Sequence, residues 1–294
     1  MESMRFTYAE AMTQAHYYAP LARAAEAAGY TSMTVADSLI YPRESDSRYP
    51  YTADGDREFL SGKDFPEVLV LCTHLAAVTT RLRLTPFVLK LPVRQPVLVA
   101  KQAASLAYLS GNRLGLGVGL SPWPEDYAVL GVPWARRGAR MDECLDIVRG
   151  LTAGGFFGYH GEFYDFDEVE QRPAPTEPIP LLVGGHADAA LRRAVRKGDG
   201  WMHAGGDGAE LERLLDRLAT IRAQEGDTRA GFEVHVVSTD AYHPDAVRRL
   251  EDRGVTDCIV GFRWPYITGP DTEPLATKID NLERFAETVI AKVG

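Results

Sequence analysis

Two glycine pairs in the stretch IPLLVGGHADAALRRAVRKGDGWMHAGG (179–206) carry the first hint of chemistry. Gly184-Gly185 and Gly205-Gly206 each follow a short apolar run and precede a helical pattern. Bare backbone in such a place suits either an ordinary turn or the close approach of a ligand. Free N–H groups at the start of a helix favour an anion such as phosphate. The expectation is a phosphorylated ligand held by Val183, Gly184, Gly185 and His186 from one loop, and by Trp201, Ala204, Gly205 and Gly206 from the other. A second run, GLGVG, sets Gly115, Gly117 and Gly119 on one face of a strand. Two readings stay open there: tight packing, or Gly119, Leu120 and Ser121 letting a flat ligand pass. The G-x-G-x-G spacing, with no acidic residue in the expected place, is not a dinucleotide fingerprint.

Other side chains could act on protons or charge. Glu10 closes the first apolar run; a carboxyl in a partly apolar mouth favours its protonated form and can serve as an acid, though a surface carboxylate is an equal reading. Tyr8, Tyr41 and Tyr51 could line a substrate pocket as phenolic donors, or pack among themselves. Arg136, Arg137 and Arg140 open a long helix, where cations oppose the helix dipole, so local ion pairs or an acidic ligand tail must favour them. Seven histidines form no H-E-x-x-H or Cys-His cluster, and no metal site is expected. Cys72, Cys144 and Cys258 lie far apart and read as buried thiols in a reducing compartment.

The elements that must position these residues alternate along the chain. Strand patterns at 5–11, 31–38, 81–89, 113–120, 179–185, 199–206, 232–240 and 256–264 are separated by helical patterns at 15–30, 64–80, 95–111, 136–154, 187–198, 207–226, 244–254 and 274–293. Gly29 should close the first helix; Asp64 should cap the second, with Pro66 in its first turn. Eight β–α units in 294 residues predict a (β/α)8 TIM barrel forming a single domain over 1–294, with insertions after strand 2 and after helix 4. The polar, tyrosine-rich segment 39–63 is the expected lid; 155–179 reads as a hairpin followed by a proline-rich loop. A barrel places ligands at the carboxyl ends of its strands, the side both glycine pairs face.

Composition sets limits. A net charge of −9, with no basic stripe, argues against a nucleic-acid partner. No apolar run nears the roughly 18 residues a membrane span needs, and the first residues lack a signal-peptide pattern. The expectation is a soluble, cytoplasmic homodimer acting on a small molecule.

The stretches TTRLRLTPFVLKLPVRQPVLVAKQAASLAYLSGNRLGLGVGL, DYAVLGVPWARRGARMDECLDIVRGL, GEFYDF and PIPLLVGGHADAALRRAVRKGDGWMHAG resemble the luciferase-like superfamily of flavin- and deazaflavin-dependent barrels, in its F420-linked oxidoreductase branch. The likeness runs from about Ala25 to Gly206, and the insert IYPRESDSRYPYTADG resembles that of one F420-linked branch. It implies an isoalloxazine-type ring at the strand ends, a phosphate on the late loops, and a non-prolyl cis peptide between Phe87 and Val88 beneath the ring. The family usually carries Asp-His where this chain has Asp37-Ser38. Serine removes an imidazole able to change charge near neutral pH. Asp37 and Ser38 are therefore expected at the cofactor, with Ser38 and Glu10 the candidate catalytic pair.

The resemblance implies an F420H2-dependent reductase that moves hydride between deazaflavin F420 and a small unsaturated substrate, a C=C or C=N group. An FMN-dependent luciferase-like monooxygenase is the alternative. A non-catalytic flavin-binding barrel is a third reading, which the missing histidine keeps open.

Overall fold

The computed structural model of the chain describes residues 3–52 and 54–293; Ala53 of the expected lid, and residues 1, 2 and 294 of the expected domain, lie outside the described residues. The chain runs through β1 (Arg5–Glu10), α1 (Tyr18–Ala28), β2 (Ser32–Val35), α2 (Val68–Val78), β3 (Arg83–Pro86), β4 (Leu89–Lys90) and α3 (Pro96–Ser110). It continues with β5 (Leu116–Gly119), a short α4 (Pro124–Val129) and the long α5 (Arg137–Thr152). A hairpin of β6 (Phe156–His160) and β7 (Asp165–Glu170) precedes β8 (Leu181–Gly184), α6 (Asp188–Lys197), β9 (Gly200–Met202) and α7 (Gly208–Gln224). The last units are β10 (Glu233–Val237), α8 (Pro244–Asp252), β11 (Asp257–Val260) and α9 (Leu275–Phe285). A π turn, Ala286–Ile290, leads from α9 into α10 (Ala291–Val293).

Nine parallel segments form one sheet in the order β3-β2-β1-β11-β10-β9-β8-β5-β4. β3 and β4 are halves of one strand, separated by a cis Phe87–Val88 peptide at the expected position, and Leu84 of β3 bridges to Leu114 just ahead of β5. The sheet thus comes round on itself as the expected (β/α)8 barrel. β2, β5 and β11 are buried at every position, as parallel strands covered on both faces must be. One face meets the helix ring through residues such as Leu21, Leu75, Leu145, Leu191 and Leu282. The other fills the barrel, where Leu182, Met202 and Ile259 pack with Ala9, Phe87, Val88 and Val237.

Two local expectations need correction. α2 starts at Val68, and its N-cap is Glu67, whose carboxylate accepts from the Leu69 and Val70 N–H groups. Asp64 cannot cap it because Phe65 precedes Pro66, and a residue before proline is driven out of the helical region. Pro66 therefore lies before the first turn. The segment between β5 and α5, left without an element by its sequence, contains α4, which begins with a proline at its first position.

At the amino ends of four strands the barrel interior is ionic. Arg5 Nη2 lies 2.6 Å from Asp257 Oδ2, Arg83 Nη1 2.8 Å from Glu233 Oε2, and His235 Nε2 2.7 Å from the same Glu233 oxygen. Glu233, His235 and Asp257 bring metal-ligating atoms within 4.8 Å of one another. Two guanidinium groups already stand among them, which makes this a salt-bridge network on the described side chains. Burial pushes the Glu233 pKa up, but hydrogen bonds and charge from His235 and Arg83 outweigh it and hold the carboxyl well below its usual range. A carboxylate with a lowered folded pKa stabilises the fold above its unfolded value, and loses that contribution only as pH falls through the folded one. Glu233→Gln is therefore expected to cost about 3 kcal/mol at both pH 7 and pH 5. Urea denaturation at the two pH values checks this; a variant as stable as the parent would contradict it.

Candidate active site at the carboxyl end of the barrel

The floor of the barrel mouth is set by glycine. A methyl group built on Gly119 would lie 2.6 Å from a Val88 methyl, and one on Gly184 would lie 3.0 Å from the other. Val88, just after the cis peptide, is thus wedged between β5 and β8. Gly117 faces the Pro86 carbonyl oxygen at 2.0 Å on the same construction, and Gly115 the Arg83 guanidinium at 2.5 Å. The packing reading accounts for all three alternating glycines. Asp37 anchors the segment after the wedge: its carboxylate accepts from Arg94 Nη1 (2.7 Å), Arg94 Nη2 (3.0 Å) and the Lys90 N–H (2.9 Å). Ser121 is also engaged from within. Its buried hydroxyl donates to Asp126 and accepts from the Trp123 N–H, while Lys90 Nζ sits 2.8 Å from the same carboxylate. Leu120 packs against the core; Ser38 is half-buried in the loop three residues after β2.

The two glycine loops adjoin, as their positions past β8 and β9 require. Gly185, Gly205 and Gly206 adopt φ of +126°, +99° and +142°, a region that side chains rarely enter. His186 bridges the loops: Nε2 accepts from the Ala204 N–H at 3.1 Å, leaving Nδ1–H to donate to Glu210 at 3.2 Å. Trp201 is buried, and its indole N–H donates to the Gly185 carbonyl at 2.8 Å. Val183 points into the core and offers only backbone to the mouth.

His203 was not among the expected residues. It follows β9 fully buried, stacked on His186 with ring centres 4.8 Å apart and planes at 13°. Its Nδ1–H donates to the Val237 carbonyl at 3.1 Å, which leaves Nε2 as a bare acceptor with no partner among the described residues. Burial, reinforced by the neighbouring His186, pushes its pKa down to about 4. Its signal in the sequence is a histidine at a strand end, between Trp201 and the second glycine pair.

Segment 39–63 lies across this mouth. Tyr49 stacks on Trp123 (5.5 Å, 19°) and packs edge-on against Tyr266 (5.5 Å). Arg57 sits over the Trp123 ring at 4.8 Å and the Tyr41 ring at 5.2 Å, and pairs with Glu125 at 3.5 Å. Tyr51 meets His186 edge-on at 5.6 Å, and Lys63 donates to the Gly269 carbonyl. The insert therefore touches the loops after β5, β8 and β11. Tyr41 and Tyr51 belong to this cover and are partly exposed, whereas Tyr8 is buried against Tyr30 and Phe262, on the face of β1 opposite Ala9.

Glu10 is surrounded differently from expectation. Its oxygens accept from the Tyr8 hydroxyl (2.8 Å) and lie 3.3 Å from Lys278 Nζ and 3.4 Å from Arg263 Nη2. Lys278, 2% exposed on α9, also reaches Asp271 (2.9 Å) and Glu273 (3.1 Å). Glu10 thus pins the β11–α9 loop to β1 and is not free to hand a proton to a ligand. Arg136 pairs with Glu162, Arg137 lies over the Trp134 ring at 3.7 Å, and Arg140 donates to the Pro133 carbonyl at 2.8 Å, so local partners account for all three. Cys72, Cys144 and Cys258 are buried free thiols, and burial raises the pKa of each.

His203 makes stability depend on pH in a defined direction. With its pKa depressed from 6.5 to about 4, the unfolded chain binds the proton first, so stability falls as pH drops through that window. The full effect is about 3 kcal/mol. Between pH 7 and 4.5 the denaturant midpoint of the parent should fall further than that of His203→Gln. Parallel losses in both proteins would remove His203 as the cause.

Among the described residues no helix is long and apolar enough to cross a membrane. The profile of the luciferase-like monooxygenase family matches residues 3–275. An uncharacterised protein of Mycobacterium tuberculosis is 66% identical over 290 residues, 99% of this chain and 100% of the relative. An F420-dependent glucose-6-phosphate dehydrogenase of Beutenbergia cavernae is 33% identical over 233 residues, 77% of this chain and 64% of the relative. A monooxygenase from Streptomyces bottropensis superposes with a TM-score of 0.79 over 99% of this chain and 100% of its own, at 18% identity. With a matching profile over nearly its whole length, and this barrel, the chain belongs to the luciferase-like monooxygenase family, a family of oxidoreductases.

Proposed function

We propose that the chain is a reductase that takes hydride from reduced coenzyme F420 and delivers it to a small substrate bearing a C=C or C=N group. The observation that carries this reading is the covered mouth: a glycine-lined floor and two bare-backbone loops, roofed by the aromatic insert. Those features fit a flat ring with a polar, phosphorylated tail. The 33% identical F420-dependent relative supports the choice of deazaflavin. Reduced F420, when bound, supplies a hydride and resists oxygen because a ring carbon replaces the nitrogen of a flavin.

The chain's own residues position and exclude. Gly185, Gly205 and Gly206 would hold the phosphate through backbone N–H groups. Val88 and Gly119 would underlie the ring. Tyr49, Trp123, Tyr266 and Arg57 would keep bulk water from the hydride path. Ser38, half-buried in the loop after β2, can orient one water to protonate the product anion. Oxidation with FMN is the second reading, favoured by the family's description as monooxygenases.

Both readings are separated by titrating the protein with F420 and with FMN while following tryptophan fluorescence. Trp201, bonded to the Gly185 loop, should report on occupancy, and Trp201→Phe should lose part of the signal. Saturable binding of F420, at least about tenfold tighter than FMN, is the expected result, a difference of about 1.4 kcal/mol. The reverse order would favour the monooxygenase. Deleting Glu44–Gly55 should leave the circular dichroism spectrum nearly unchanged while exposing bound F420 to iodide quenching. Equal quenching in both proteins would show that the insert is no lid.

A further inference from the structure

The carboxylate of Glu210 lies over one of the two loops assigned above to phosphate. A methyl group built on Gly206 would sit 2.5 Å from Glu210 Oε2 and 3.8 Å from His203 Nε2. The bare backbone at Gly206 therefore admits a carboxylate of this chain. Glu210 Oε1 takes the Nδ1–H of His186 at 3.2 Å, and the Asp207 carboxylate caps α7 by accepting the Glu210 N–H at 2.7 Å. Neither GGHAD (184–188) nor AGGDGAE (204–210) contains a lysine or arginine. The second observation is His203, fully buried, with an acceptor nitrogen lacking a partner and facing the same point. Negative charge and a bare lone pair together oppose an anionic phosphate group there.

We infer that Glu210 is a specificity-determining residue that occupies the anion cradle between the two glycine loops and must be displaced before a ligand's phosphate can enter. The inference rests on the reading that a phosphorylated ring binds at these loops. Displacement frees the His186 N–H to meet the phosphate instead. A hydroxylated tail without phosphate meets no like charge, so Glu210 narrows the difference between phosphorylated and unphosphorylated rings.

The test uses the full chain and Glu210→Gln, which keeps the side chain's size and removes its charge at a partly exposed position. Dissociation constants are measured by ligand fluorescence for two pairs: FMN with riboflavin, and F420 with its phosphate-free ribityl deazaflavin. The expected result is that the variant binds the phosphorylated member of the pair about tenfold tighter, with the unphosphorylated member changed less than about twofold. If rings bind and the ratio within each pair does not move, or falls, the role of Glu210 is overturned while the ring-at-the-mouth reading stands. If neither pair binds either protein, both fall together.

Discussion

The barrel's interior has room for only one bulky wall where β3–β4 and β5 meet, and the other wall is glycine. Arg83, Pro86 and Val88 along one strand face Gly115, Gly117 and Gly119 along the next. A side chain at any of the three glycines would push β3–β4 outward. That would withdraw Arg83 from Glu233 at the amino end and Val88 from Gly184 at the carboxyl end. One steric constraint thus couples the ionic plug at the bottom of the barrel to the floor of the mouth at the top. Close-packed interiors transmit such displacements instead of absorbing them.

The buried polar groups divide by what satisfies them. At the amino end, Arg5, Arg83, Glu233, His235 and Asp257 neutralise one another. Near β1's carboxyl end, Glu10, Arg263, Asp271, Glu273 and Lys278 do the same across the last loop. Buried charges must be paired in this way, because an uncompensated ion costs several kcal/mol, about 3–5 when a partner is lost. His203 Nε2 lies beside the glycine loops, buried and without a partner among the described residues, as His235 Nδ1 is at the amino end. An unmet buried acceptor is costly in a finished core and useful in a binding site.

What the sequence made legible follows from the range of the physics involved. Strand and helix order is a matter of local periodicity, and GLGVG announces its crowded face by spacing alone. The adjacency of the two glycine loops followed from barrel topology once eight β–α units were recognised. Asp64 misled because a cap depends on where the helix starts, and Pro66 moved that start to Val68. Glu10 misled for a different reason. Its partners at 263 and 278 lie more than 250 residues away, and nothing local to AEAM signals a lysine arriving from the last helix. Ser121 and Asp37 illustrate the same limit: each stands where a cofactor residue was expected, yet each has its hydrogen bonds supplied from within the chain.

The insert 39–63 shows how a long loop without a strand can still be well positioned. Its anchors are aromatic faces and one guanidinium, Tyr49 and Arg57 on Trp123, with Tyr266 closing the side. Such contacts have broad optima in angle and distance, so they hold a cover in place without fixing it as rigidly as a strand ladder would. Tyr51 then sets its edge against His186, the residue that joins the two glycine loops and holds Glu210. Any ligand group that displaces Glu210 from His186 also alters the surface on which Tyr51 rests. Tyr51 and Glu210 thus meet the same imidazole, which places the insert one side chain away from both glycine loops.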